Sequence, residues 1–176
     1  MAKWTFEPGH TAAEFCVRHM MVTFVRGHFK NIHGTLEFDP DDPAGGSVEI
    51  EINAADLWTG EPERDAHLKS DHFLDVVNHP KITFKSTKVE QIAANEGKVS
   101  GDLTIRGVTR HVTLDVRYFG KWRSPFGDTR TGFAARTMIN RHDFGVSWNA
   151  EMENGGIIVG NDVLITIDAE AILNTK

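Results

Sequence analysis

Val163-Leu164-Ile165-Thr166-Ile167-Asp168-Ala169-Glu170-Ala171 is the stretch on which the fold turns. Apolar Val163, Ile165, Ile167, Ala169 and Ala171 occupy every second position, with Thr166, Asp168 and Glu170 between them. Side chains of a strand point alternately to its two faces, so this segment has one dry face and one wet face. The same period returns in Val48-Ile50-Ile52, Leu103-Ile105 and Val112-Leu114-Val116-Tyr118, interleaved with Glu49, Glu51, Asp102, Thr104, Thr113, Asp115 and Arg117. Repetition of this pattern makes the chain all-β, with an antiparallel sheet that turns one face from water.

Working outward, turn signals divide the chain into about eight strands. Glu7-Pro8-Gly9-His10, Asp39 to Gly46, Asn78-His79-Pro80, Asn95-Glu96-Gly97 and Arg106-Gly107 mark the breaks. Gly120 to Asp128, with Trp122, Pro125 and Gly127, reads as a loop, and Val146 to Gly160, with Gly155 and Gly156 inside it, sets no clear period. One stretch departs from the strand pattern. Glu61-Pro62-Glu63-Arg64-Asp65-Ala66-His67-Leu68-Lys69-Ser70 reads as a short helix, with Pro62 in the first turn and acidic residues near the positive end of the dipole.

A row of about eight strands can close and so remove its edges. Such a barrel is either filled by its own side chains or holds one small ligand. Periodicity leaves open both a hollow barrel capped by the insert and a packed sheet with a helix across one face.

The 176 residues suit a single domain over 1–176, with 40% hydrophobic and 25% charged residues. A formal net charge of -6 argues against nucleic acid as a partner. No apolar run is long enough to span a bilayer, and the Met-Ala-Lys-Trp-Thr-Phe-Glu-Pro start lacks the layout of a secretory signal. The expected location is therefore cytoplasmic. Cys16 is the only cysteine and stands between Phe15 and Val17, which reads as a structural thiol. Nine histidines include pairs five apart, His28/His33 and His67/His72, a spacing that on either a strand or a helix parts the two side chains. With no HExxH or CxxC set, neither a metal nor another cofactor is expected. No nucleophile elbow, P-loop or dinucleotide fingerprint is present, so the chain reads as a non-enzyme.

The run from Thr59 to Asp75 carries Thr59-Gly60, Arg64-Asp65-x-His67-Leu68 and Phe73-Leu74-Asp75 in that order. His79-Pro80-x-Ile82-x-Phe84-x-Ser86, Gly101-x-Leu103-Thr104-Ile105-x-Gly107-Val108-Thr109 and Arg141-x-Asp143-Phe144-Gly145 follow. His10-Thr11 with Phe15-x-Val17-x-His19 precedes them, and Gly160-Asn161-Asp162-Val163 closes the set. Together these blocks resemble the YceI-like family from Trp4 to Ile172. The resemblance implies a lipocalin-like antiparallel barrel with an apolar channel. It also implies a ligand, a polyisoprenoid, an isoprenoid quinone or a similar long-chain amphiphile, carried or stored without chemistry. Family members are often exported and often dimeric, so a homodimer is among the expected states.

On that reading the tail would contact Phe15, Val17, His19, Phe24, Phe29 and Leu36 from the first half of the sheet. Ile50, Leu68, Phe73 and Phe84 come from the centre and the insert. Leu103, Ile105, Leu114, Phe133, Phe144, Trp148 and Ile165 complete the wall. Arg64, Asp65, His67, Arg141 and Asp143 are the expected head-group contacts, each with a structural role as its rival. Two other functions stay open at this point. One is an enzyme acting on an isoprenoid lipid, with His19, Asp65 or His67 as acid or base. The other is an interaction module with a filled core.

Overall fold

The structure is a computed structural model that describes residues 1–153 and 156–175. Gly155 falls outside the described residues. Ten strand segments form one antiparallel sheet in the order β1-β4-β5-β6-β7-β8-β9-β10-β2-β3, with β1 also paired to β10. They are β1 (Lys3–Phe6), β2 (Ala12–His19), β3 (Thr23–Phe29), β4 (His33–Glu37), β5 (Ser47–Asn53), β6 (Lys81–Ala93), β7 (Glu96–Ile105), β8 (Val108–Arg123), β9 (Thr129–Asn140) and β10 (Val159–Leu173).

The β1–β10 pairing shuts the sheet into an antiparallel barrel of eight strands, because two of the eight are each interrupted once. β1 and β2 share one edge of β10: Trp4 faces Leu173 and Phe6 faces Ala171, whereas Ala12 to Val17 run along Asp168 to Val163. At the break between them, buried Thr11 takes the place of a ladder residue. Its Oγ1 donates to the Glu170 carbonyl and accepts from the Glu170 N–H, both at 3.2 Å. β3 and β4 likewise share a strand position, parted at Lys30 to Ile32.

Two buried clusters fill the ends of the barrel. Trp4, Phe6, Phe38 and Ala171 form one, beside the β4–β5 and β6–β7 turns, and the Trp4 indole N–H donates to the Phe38 carbonyl at 3.1 Å. Phe29, Leu57, Phe73, Ile82, Ile105, Ile139, Phe144 and Val146 form the other, beneath the insert. The helix α1 (Pro62–Lys69) starts as expected: Glu61 accepts from the Glu63 and Arg64 N–H groups, and Pro62 needs no donor there. Eight residues of helix are marginal alone, so tertiary contacts must hold the insert.

The stretch expected to be a loop at 120–128 is strand over 120–123 and turn over 124–128. β8 runs to Arg123, carried past a bulge between Tyr118 and Lys121. Alternation is lost where a bulge shifts the pleat, so the period hides the strand.

Candidate functional site: the lumen of the barrel

Inward-facing side chains leave two chambers in the lumen. The first, of about 190 Å³, lies under the insert. Phe15 and Val17 of β2, Phe29 of β3, Ile52 of β5, Phe84 of β6, Leu103 and Ile105 of β7, and Ile165 of β10 line it, with Leu68, Phe73 and Leu74 above and Phe144 beside them. Its accessible wall is entirely apolar. The second, of about 220 Å³, lies at the opposite end between Leu36, Phe38, Val48, Tyr118, Phe133 and Ala169. Ile50, Leu114 and Ile167 line both chambers, so the two adjoin along the barrel. Glu14, Thr83, Thr137 and Arg141 border the first chamber without presenting a polar atom to it, whereas Ser47, Gln91, Asn95 and Glu96 line the opening of the second.

Phe15 occupies its place because its cross-strand partner is Gly27. A Cβ at Gly27 would stand 2.3 Å from the Phe15 ring and 2.8 Å from the Thr59 methyl. The missing side chain lets the ring lie across the neighbouring strand, where it tilts against Phe29 with centroids 5.9 Å apart.

Dense polar bonding holds the insert end. Buried Asp65 accepts from the Thr59 N–H at 3.0 Å and from the Thr59 hydroxyl. Arg64 donates through Nε to Thr59 Oγ1 at 2.8 Å and through its terminal nitrogen to the Thr59 carbonyl at 2.9 Å. Arg106, at the β7–β8 turn, donates to the Asp71 and Phe73 carbonyls at 2.6 and 2.5 Å, tying the far side of the insert to the barrel. Arg141 is buried and donates to four carbonyls: Gly160 and Val146 at 2.8 Å, Trp148 at 2.9 Å and Val159 at 3.2 Å. Burial pushes its pKa down from the ordinary arginine value. Every buried side-chain N and O among the described residues has a hydrogen-bond partner.

The structure separates the residues singled out from the sequence into distinct places. Phe15, Val17, Phe29, Ile50, Leu68, Phe73, Phe84, Leu103, Ile105, Leu114, Phe144 and Ile165 surround the first chamber, and Leu36 and Phe133 the second. Phe24 stands outside. It pairs with Arg18, whose guanidinium lies 4.7 Å from its ring centroid, and is 51% exposed. Val25 and Gly27 hold the inward register of β3, so Phe24, one residue before Val25, must face out. His19 ends β2 opposite Val159 and Thr23 and lines neither chamber. Trp148 packs on the insert, against His67, His72 and Phe73.

Of the five expected head-group contacts, only Arg141 touches a chamber. Arg64 and Asp65 are bonded to Thr59, and Asp143 is exposed. His67 and His72, expected to diverge, meet with Nε2 and Nδ1 2.9 Å apart, because α1 ends at Lys69 and the chain turns back. Outside the barrel, Glu7, His10 and Glu170 bring three potential ligand atoms within 4.8 Å of one another. Arg130 already occupies that cluster, donating to Glu170 at 2.5 Å. The hydrogen bond from His10 holds the Glu7 carboxyl below its usual value.

Sequence reasoning missed Tyr118, Phe38 and Ala169 in the second chamber. Alternation already sets Tyr118 and Ala169 on dry faces, although neither is among the expected contacts, whereas Phe38 borders a turn, where the period ends.

A barrel of this topology is found in known proteins. The BcnA protein of Burkholderia cenocepacia superposes with a TM-score of 0.79 at 24% identity, over 91% of this chain and 95% of that one. A polyisoprenoid binding domain from Saccharophagus degradans gives 0.70 at 13% identity, over 99% and 100% of the two chains. Both are likenesses of fold. In sequence, a UPF0312 protein of Staphylococcus aureus is 35% identical over 171 residues, 97% of each chain. That identity over nearly the full length, together with a match to the YceI-like domain over residues 4–171, makes this chain a member of the YceI-like family.

Proposed function

We propose that the lumen encloses the hydrocarbon tail of a long-chain amphiphile of the polyisoprenoid or isoprenoid-quinone class, and that the protein carries or stores it without turnover. One observation carries this reading: two adjoining apolar chambers, with no buried side-chain polar atom among the described residues left without a partner. Such a wall offers area and no direction, which is what a hydrocarbon tail requires. Each isoprene unit brings about five carbons, worth roughly 0.8 kcal/mol apiece on burial before ordering costs. The polyisoprenoid-binding description of the S. degradans neighbour supports the same ligand class.

The polarity of the two ends orients the guest. The tail tip lies under the insert, against the wholly apolar wall, and the head group emerges near Ser47, Gln91 and Asn95. Arg64, Asp65 and Arg141 act as fasteners of the insert end, since each is bonded to the chain itself. The free, buried Cys16 thiol fits action in a reducing compartment such as the cytoplasm.

Organic extraction of the native protein, followed by mass spectrometry, tests the proposal. The expected result is a long-chain lipid near one per protein, lost at least about tenfold in a folded Ile165→Asp variant, which places a charge in the wall. Protein from its own cells that releases no lipid would leave the filled-core module as the better reading. A lipid chemically changed on incubation, and unchanged with His67→Ala, would favour an enzyme.

A further inference from the structure

The β8–β9 ribbon stands clear of β7 at the end where the second chamber opens, while β10 stays beside β9 as far as Arg130↔Ile172. β7 accompanies β8 only from Ile105↔Val108 to Glu96↔Arg117, yet β8 and β9 stay paired to Arg123↔Thr129. The ribbon carries Phe119, Trp122 and Phe126, which are 52%, 71% and 81% exposed. Three large aromatic side chains standing in water on one projection call for a partner. The Trp122 indole N–H is spent on the Phe119 carbonyl at 3.0 Å, so the ring offers hydrocarbon alone.

The projection is fixed. Gly120 takes a φ of +93° at the bulge, a conformation that suits glycine. At the tip Ser124 bonds to Asp128, and Arg130 donates to the same carboxylate at 2.9 and 3.1 Å. Between the aromatics stand Lys121 and Arg123, both exposed and neither paired with an acidic side chain among the described residues. A molecule with a formal charge of -6 thus places unpaired cations beside its exposed rings.

We propose that this ribbon docks the barrel on an anionic bilayer surface. Phe119, Trp122 and Phe126 enter the boundary between head groups and acyl chains, and Lys121 and Arg123 meet the lipid phosphates. Aromatic rings flanked by lysine and arginine suit that boundary, where apolar and anionic surfaces lie a few ångströms apart. A second copy of the chain fits less well, because a symmetric contact would set Lys121 and Arg123 against their own kind. Tyr118, next to Phe119, lines the second chamber, so docking brings its mouth to the lipid. The purpose of docking rests on the lipid-tail reading, but the test does not.

Flotation of the full chain with vesicles of phosphatidylcholine, with and without phosphatidylglycerol, reads the docking directly. The wild type is expected to float with the anionic vesicles, and less so as salt rises. Trp122→Ser with Phe126→Ser, and separately Lys121→Glu with Arg123→Glu, each lower the bound fraction by about tenfold or more. A mild variant, Trp122→Phe, keeps binding and removes most of the blue shift in tryptophan fluorescence seen on adding vesicles. Circular dichroism checks the fold, and extraction of bound lipid from the same samples keeps the lumen reading separate. Wild-type protein that floats with neither vesicle overturns the proposal, as does binding unaltered by either double substitution. Ribbon variants that turn a dimer into a monomer while vesicle binding stays the same would assign the surface to a second copy.

Discussion

The two ends of the barrel are closed by opposite means. At the insert end, three arginines and an aspartate are spent on backbone and hydroxyl groups: Arg64 and Asp65 on Thr59, Arg106 on the 71–73 turn, Arg141 on four carbonyls. At the ribbon end the mouth is ringed by aromatic contacts, with Phe38, Tyr118 and Phe133 centroids 5.1 to 5.4 Å apart, and by short turns. Opening the first end breaks buried, charge-assisted bonds, whereas the second is held by ring contacts and one neutral buried bond, from the Trp4 indole to the Phe38 carbonyl. On the proposed lipid reading, the difference teaches which end is a floor and which is a door: a guest would pass at lower cost where no charged buried group has to lose its partners.

Four measurements break or sharpen that contrast. The largest effect is expected from Arg141→Leu, which strands the carbonyls of Val146, Trp148, Val159 and Gly160. Denaturant unfolding should show a loss on the order of 3–5 kcal/mol. Asp65→Ala follows, at about 2–3 kcal/mol, with Asp65→Asn recovering part of it because an acceptor for the Thr59 N–H remains. At the other end, Leu36→Trp grows into the second chamber and should cost less than about 1 kcal/mol, since the space is there. The same variant should shorten the tails recovered by extraction. Equal costs at the two ends would erase the distinction between floor and door.

The smallest effect concerns the ribbon tip. The Arg130 guanidinium, then the Ser124 hydroxyl, hold the Asp128 carboxyl at about 2, below its ordinary 3.8. A lowered folded-state value means that the unfolded chain binds the proton first. The contribution is therefore complete above the ordinary value and disappears as pH falls through about 2. A carboxyl chemical-shift titration should find the midpoint near 2 for the wild type and a higher one for Arg130→Gln with the fold intact, still short of 3.8 because the Ser124 hydroxyl remains.

Much of this architecture could be read from residue order because β5, β7, the first part of β8 and β10 alternate cleanly over several residues, and alternation is what a half-buried strand imposes. The insert was legible for another reason: Pro62 and its acidic neighbours carry the marks of a helix start. The wall was misread where two parities are both apolar. Val22-Thr23-Phe24-Val25 permits either face inward, and the choice is made by the turn at Met20 and Met21, both with positive φ, which pairs Val17 with Val25 and turns Phe24 out. Arg64 and Asp65 stand out in the sequence, yet their partner Thr59 emerges only once the chain is folded back on itself.

The pairing of Trp4 with Leu173 has a consequence for the birth of the molecule. During synthesis the first strand leaves the ribosome with its eventual neighbour still unmade, and the cylinder cannot shut until β10 arrives. Closure is thus the final and most distant contact of the topology, which makes folding slow for its size and leaves nascent edges bare for longest.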